Sequence, residues 1–210
     1  MLTILFLHLI RRIYKNGSNF LHNTLPSSYT MKLVSVLEAF CYSINMTEEL
    51  FDIVNLQDNV IGTTNKIKAH SSGELHRVGA VYVFDDKGRL YVQVHKKSGG
   101  LYDHSVGGHI SKGETYAEGT KREAEEELGI TQPLEEISVF YSDEGAKLQH
   151  MFGLYVCTAE PTWKFLPNDE VEEIIAMELD DIRNLMKQEP KKFTRGFINT
   201  MNEYDHLKSL

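Results

Sequence analysis

Three glutamates in a short acidic segment have the spacing that metal chemistry requires. Glu123, Glu126 and Glu127 stand at positions i, i+3 and i+4, so an α-helix presents all three carboxylates on one face. Like charges held this close repel each other, a cost that a purely structural helix has no reason to carry. A hard divalent cation removes that cost, and Mg²⁺ is the usual choice where phosphates supply the other ligands. The triplet therefore predicts a site for Mg²⁺, with Mn²⁺ as the alternative.

Residues around the triplet stand where such a site needs them. Arg122 is one helical turn from both Glu118 and Glu126, so it can pair with either and hold the carboxylates in place. Gly108 has no side chain, which lets backbone groups approach the metal or the phosphates. The alternative is a solvated, glutamate-rich surface helix, which is what most charged segments are. Glu125 points away from the triplet and fits that alternative.

The elements that position these residues follow from hydrophobic patterning and turn residues. The acidic helix is expected from about Thr115 to Leu128, with Gly129 as its C-terminal cap. The sequence 85–88 has hairpin-turn chemistry, and residues 96–104 are rich in Gly, Ser and Lys, which is typical of a loop. Together these elements predict a single α/β domain. The strands are expected at 78–84, 90–95, 137–140, 151–157 and 171–177, and the closing helices at 179–187 and 191–204.

Composition limits the classes of protein. The chain has 210 residues, of which 41% are hydrophobic and 25% charged, as in a globular protein with one ordinary domain and an appendage. Its net charge of −8 argues against binding to a nucleic-acid duplex, and no apolar run approaches the ~20 residues of a membrane span. Cys41 and Cys157 form no motif. A disulfide framework is thereby excluded, and a reducing, cytoplasmic location is the default.

The N-terminal segment differs from the rest of the chain. Residues 1–37 contain no acidic residue, and their apolar run precedes Arg11-Arg12, the reverse of the order in a secretory signal. Three interpretations stay open: an extension of the domain, an organelle-targeting segment over 1–37, or translation that starts at Met31 or Met46. The predicted organisation is an N-terminal extension over 1–45 and a catalytic domain over 46–210.

The segment from Gly108 to Ile130 resembles a complete Nudix box, the signature of hydrolases that cleave nucleoside diphosphates linked to another moiety. The resemblance extends from about Leu50 to Tyr204, and Gly107-Gly108-His109 and Asp169-Glu170-Val171 resemble a subgroup related to isopentenyl diphosphate isomerase. It implies an α/β/α sandwich with a mixed sheet, in which the box forms a loop–helix–loop that holds Mg²⁺. The specified positions of the box are filled by Gly108, Glu114, Arg122, Glu123, Ala124, Glu126, Glu127, Gly129 and Ile130.

The resemblance also implies a role for individual residues. The glutamate triplet would ligate the metal, with one member serving as base in some relatives, and Gly108 would offer its carbonyl. Arg122 would orient the glutamates, and Glu114 would brace the loop–helix–loop. A further acid outside the box is expected at Glu170 or Asp169. His104 and His109 are candidates for contact with substrate phosphates, and neither is expected to form a zinc site, because the sequence offers them no obvious partner ligands.

The expected activity is Mg²⁺-dependent cleavage of a diphosphate linkage in a nucleoside diphosphate derivative or a related organic diphosphate. An isomerase of isopentenyl diphosphate is the alternative, but relatives with that chemistry carry a cysteine just before the glycine region, and residues 101–106 contain none. A binding module without turnover would be expected to lose box carboxylates, and this chain retains them all. The expected partner is a small-molecule diphosphate, and homodimers are common in families of this kind.

Overall fold

A nine-stranded mixed sheet forms the centre of the structure. The structure is a computed structural model and describes residues 49–95, 99–145, 148–167, 171 and 173–210. The expectations for residues 1–45 and for Asp169 and Glu170 lie outside these ranges. The strands are β1 (Leu50–Val54), β2 (Val60–Asn65), β3 (His76–Phe84), β4 (Leu90–His95), β5 (Leu101–Asp103), β6 (Val106–His109), β7 (Glu135–Gly145), β8 (Leu148–Thr158) and β9 (Ile174–Met177). The helices are α1 (Lys66–Ser72), α2 (Tyr116–Leu128), α3 (Leu179–Gln188) and α4 (Arg195–Lys208), with a 3₁₀ turn at Pro190–Lys192.

Strand β3 organises the sheet. It pairs in parallel with β8 along its whole length, and its middle residues, 78–81, also pair antiparallel with β6. The remaining order is β2-β1-β3-β4-β5, with β9 beside β4 and β7 beside β8. The sequence of β3 is apolar over most of its length, and its residues are buried on both faces, as expected for a strand covered by helices on either side.

Helices cover both faces of this sheet. On one face Tyr82 of β3 packs with Phe197 and Met201 of α4. On the other face Val81 packs with Ala124 of α2. Alternate side chains of one strand thus enter two separate cores, and the predicted α/β/α sandwich with a mixed sheet is confirmed. No helix in the described part of the chain is long and apolar enough to cross a membrane.

Two local expectations need correction, and some elements were not expected at all. Leu101–Asp103, which was expected in a loop, forms β5 beside β4, because Gly99 and Gly100 adopt positive φ angles of 80° and 79° and turn the chain back. The last helix begins at Arg195 and not near residue 191, since the Thr194 side chain caps it by accepting a hydrogen bond from the Phe197 amide. The hairpin of β1 and β2 and the short helix α1 were not predicted.

Candidate functional site

Helix α2 carries the acidic triplet, and its ends are fixed by local sequence. The Thr115 hydroxyl accepts from the Glu118 amide, and the Glu118 carboxylate accepts from the Thr115 amide, which together form a capping box. Gly129 ends the helix at φ 65°. Glu118 is therefore occupied by capping and is not the partner of Arg122, contrary to one of the two pairings expected from the sequence.

Arg122 joins the helix to the loop and strand that precede it. Its Nε and Nη2 atoms each donate to Glu114 at 3.0 Å, a two-pronged ion pair. Nη1 donates to Glu123 Oε1 at 2.7 Å and lies 3.6 Å from Glu126 Oε2. Nη2 also donates to the His109 carbonyl at 3.1 Å. The hydrogen bond with Glu114 is the largest cause of the raised pKa of Arg122, so this cation stays charged and holds Glu123 in place.

Glu114 and Asp52 brace the loop before α2. The Ser111 amide donates to Glu114 Oε2 at 2.9 Å, and the Gly113 amide donates to Asp52 Oδ2 at 2.9 Å. Both are bonds from backbone N–H groups to carboxylates, which are stronger than neutral hydrogen bonds. The loop that leads into the helix is therefore held from two sides, as the role expected for Glu114 requires.

Glu123 lies in a confined environment. Burial raises the pKa of its carboxyl group, Arg122 acts in the opposite direction, and the charges of Glu126 and Glu49 add to the increase. Gly108 of β6 lies so close that a Cβ on this residue would be 2.6 Å from Glu123 Oε1. A side chain at position 108 would thus occupy the space of the carboxylate, which explains why glycine is needed there.

A residue of the central sheet holds the Glu127 carboxylate in place. Its Oε2 atom accepts a hydrogen bond from Gln93 Nε2 at 2.8 Å. Gln93 lies on β4 and is 5% exposed. This glutamine was not singled out in the sequence, where it is one polar residue among the apolar residues of a strand.

The donor set around α2 fits a hard divalent cation. Three carboxylates on one helix, two of them held by neighbouring donors, supply the oxygen ligands that Mg²⁺ and Mn²⁺ prefer. Glu123 is partly desolvated and close to the charge of Glu126, so a cation would relieve the repulsion that raises its pKa. Glu126 has the more exposed side chain, at 51%, and faces the solvent from which a cation and a phosphate would arrive.

Four histidines form a second group of potential metal ligands. His70, His76, His109 and His150 each offer one ring nitrogen, and these four atoms all lie within 4.8 Å of one another. The fold creates this histidine cluster by strand pairing, since His76 stands opposite His150 in the register of β3 with β8. His109 ends β6, and His70 comes from α1. The expectation that His109 has no partner ligands is therefore wrong, since three imidazoles surround it.

Hydrogen bonds orient the rings of the histidine cluster. The Glu74 carbonyl lies 2.8 Å from His76 Nδ1 and so accepts its proton, and Glu144 engages His150 Nδ1. Among the described residues, Nε2 of His76 and Nε2 of His150 are buried without a hydrogen-bond partner. Imidazole that is fixed through Nδ1 and has an unused Nε2 lone pair is the arrangement found at protein metal sites.

Protonation also favours metal binding at the histidine cluster. Burial lowers the pKa of His76 to about 4 and that of His109 to about 2. Burial lowers the pKa of His70 as well, in the same direction as the charge of His150. The rings of these three residues are therefore neutral at pH 7, and neutral imidazole is the form that ligates a metal.

His104 occupies a different environment from the one expected. Its Nε2 atom lies 2.8 Å from Thr200 Oγ1 and its Nδ1 atom 2.7 Å from Asp103 Oδ1, and the residue is 5% exposed. Contact with a substrate phosphate would require one of these internal bonds to break. Of the two histidines expected to contact phosphate, the structure places the ring of His109 in the histidine cluster, with only its carbonyl bonded to Arg122, and His104 in the core against α4.

The sequence could have pointed to the histidine cluster only through strand topology. His76 begins β3, and His150 lies near the start of β8. Parallel strands that begin at the same edge of a sheet bring such residues together. The pairing of these two strands, however, cannot be predicted from the sequence alone. The local signal is that His76 and His150 each stand near the start of an apolar run, whereas His70 does not.

Comparisons with known proteins agree with this geometry. A NUDIX domain model matches residues 74–197. An isopentenyl-diphosphate Delta-isomerase of Serratia proteamaculans is 30% identical over 167 residues, which cover 74% of this chain and 91% of the relative. An uncharacterised Nudix hydrolase of Yersinia pestis is 33% identical over 140 residues, which cover 64% of this chain and 75% of the relative. The crystal structure of DR0079 from Deinococcus radiodurans aligns with a TM-score of 0.53 at 25% identity, covering 67% of this chain and 90% of that one. Because the family model spans more than half of the chain and includes the whole acidic site, the protein belongs to the Nudix family.

Proposed function

We propose that this protein is a metal-dependent hydrolase that cleaves a diphosphate linkage in a nucleoside diphosphate derivative or a related organic diphosphate. The observation that carries the proposal is the arrangement of Glu123, Glu126 and Glu127 on one face of α2, with Arg122 and Gln93 holding two of the three. Carboxylates arranged in this way bind a hard cation, and the residues that hold them keep their geometry during turnover.

Several residues of the chain would each have a distinct role in catalysis. The glutamate triplet would bind Mg²⁺ or Mn²⁺, and the Gly108 carbonyl would add a backbone ligand. When bound, the metal supplies a water of lowered pKa and neutralises charge on the leaving diphosphate. One glutamate of the triplet accepts the proton of the attacking water. Arg122 keeps Glu123 oriented, and an acid from outside the box, Glu170 or Asp169, completes the set.

The histidine cluster is proposed as a second metal centre. Four imidazoles suit Zn²⁺ and other late transition metals better than Mg²⁺, and the two unpartnered Nε2 atoms of His76 and His150 fit such an ion. The full-length protein, purified without added metal, should carry a transition metal detectable by elemental analysis. His70→Gln should reduce its content, whereas His206→Gln on the exposed part of α4 should not. Equal metal content in all three proteins would remove this second centre from the proposal.

An isomerase of isopentenyl diphosphate is the second candidate. The isomerase of Serratia proteamaculans covers most of this chain, which favours it. The chemistry disfavours it, because residues 101–106 contain no cysteine and Cys157 is buried in the core, where burial raises the pKa of its thiol to about 11. A buried, protonated thiol is a poor acid–base group at neutral pH.

The proposal is tested by a screen of nucleoside diphosphate derivatives and other organic diphosphates with the purified protein. Phosphate release and mass spectrometry identify the products. Cleavage should require Mg²⁺ or Mn²⁺ and disappear in EDTA. Full turnover in EDTA would contradict the proposal, as would binding of a substrate with no turnover under any metal condition.

A further inference from the structure

Gln93 is a buried amide on the face of the sheet that the acidic helix covers. Its neighbour Val92 belongs to the core beneath α3 and α4, so alternation along β4 directs Gln93 to the opposite face, towards α2. Only 5% of the residue is exposed. An amide buried to this degree is unfavourable unless its polar atoms are hydrogen-bonded, so its partners indicate why it is there.

The two partners of Gln93 fix the direction of its amide. Nε2 donates to Glu127 Oε2 at 2.8 Å and to the Ser105 carbonyl at 2.8 Å. A carboxylate and a backbone carbonyl can only accept, so the nitrogen and not the oxygen of the amide must face them. One N–H group therefore anchors Gln93 to the backbone, and the other holds the carboxylate.

Ser105 makes the anchor rigid. Its hydroxyl accepts from the Val83 amide at 2.8 Å and donates to the Tyr91 carbonyl at 2.5 Å, and the residue is 0% exposed. Ser105 is thereby tied to both β3 and β4. A continuous set of hydrogen bonds runs from these two central strands through Ser105 and Gln93 to Glu127.

We propose that Gln93 is a positioning residue that fixes the Glu127 carboxylate for metal binding. The inference rests on the proposed function, since it takes Glu127 as a metal ligand. Gln93 is neutral, so its own hydrogen bond orients the Glu127 carboxylate without adding a positive charge that would compete with Mg²⁺.

Titration of the full-length protein with Mg²⁺ in a calorimeter tests this role without a substrate. Mg²⁺ reports on the carboxylate site because imidazoles bind it poorly. Gln93→Met keeps the length of the side chain and removes the donor, and it should weaken Mg²⁺ binding by about 10- to 100-fold, the usual effect of losing a residue that orients a metal ligand. Gln149→Met, at a partly buried glutamine of β8, is the matched control and should bind Mg²⁺ like the wild type.

A second measurement separates positioning from general damage. Once a substrate is known, the Mg²⁺ concentration for half-maximal turnover of Gln93→Met should rise by the same factor as the dissociation constant, and saturating Mg²⁺ should restore most of the turnover. The inference is overturned if Gln93→Met binds Mg²⁺ like the wild type, if Gln149→Met is equally impaired, or if saturating Mg²⁺ restores nothing. Failure of the wild type itself to bind Mg²⁺ overturns the proposed function along with it, and that result is recognised without any variant.

Discussion

Gly108→Ala should reduce the activity of this protein with little effect on its folding stability. The alanine Cβ would lie 2.2 Å from Glu123 Cδ and 2.6 Å from Glu123 Oε1, whereas real Cβ atoms essentially never come within 3.0 Å of another heavy atom. The carboxylate must therefore retreat by roughly 0.8 to 1.2 Å to reach an ordinary contact. That retreat breaks or lengthens the 2.7 Å hydrogen bond from Arg122 Nη1 and moves a proposed metal ligand.

The expected magnitudes differ for the two properties. Displacing a reacting or positioning group by about 1 Å costs on the order of a hundredfold in rate, so turnover should fall by about that factor and Mg²⁺ binding should weaken. Folding should change little, because the obstructing atoms belong to the flexible end of Glu123. Loss of one partly exposed hydrogen bond costs about 1 kcal/mol, and replacing a strand glycine by alanine offsets about 0.5 kcal/mol of it.

Urea unfolding and metal-dependent turnover measure these two effects on the same protein samples. The control is Gly107→Ala, where the nearest atom to the new Cβ is His104 Nδ1 at 3.5 Å, an ordinary contact. This variant should resemble the wild type in both assays. Unchanged turnover in Gly108→Ala, or equal loss in the two variants, would show that the close approach of Gly108 to Glu123 has no part in the activity.

Further substitutions and treatments test other parts of the site. Glu127→Gln should lower turnover on the order of a hundredfold and leave the metal-free unfolding temperature equal or slightly higher. Glu125→Gln is the control and should match the wild type. Equal effects of the two substitutions would show that the helix face formed by Glu123, Glu126 and Glu127 is not the active site. Treatment with a strong transition-metal chelator should lower the thermal unfolding temperature if the histidine cluster holds a metal, and His70→Gln should abolish that difference. Deletion of residues 1–45 should leave activity intact, and an insoluble product would place the domain boundary further towards the N-terminus.

The acidic site could be predicted from the sequence because its information is local. Glu123, Glu126 and Glu127 lie within about one turn of a single helix, and both ends of that helix carry residues whose capping chemistry can be read directly, Thr115 with Glu118 and Gly129. Helical periodicity then places the carboxylates on one face with no knowledge of the rest of the fold.

The histidine cluster and Gln93 could not be predicted in the same way, because they depend on pairing between distant strands. His76 and His150 meet only through the parallel register of β3 with β8. Gln93 reaches Glu127 only because β4 lies beneath α2. A polar residue in an apolar strand is a weak signal until the element packed against it is known. The short strand β5 was missed for a local reason, since the glycines before it resemble a loop.

Product analysis in isotopically labelled water tests the central claim most directly. The diphosphate substrate found in the screen is incubated with the protein and Mg²⁺ in H₂¹⁸O and, separately, in D₂O. Substitution at phosphorus by water predicts one ¹⁸O atom in a phosphate-containing product, no deuterium on carbon, and loss of this product in Glu127→Gln. A product of unchanged mass in H₂¹⁸O that acquires carbon-bound deuterium in D₂O would contradict hydrolysis and establish isomerisation in its place.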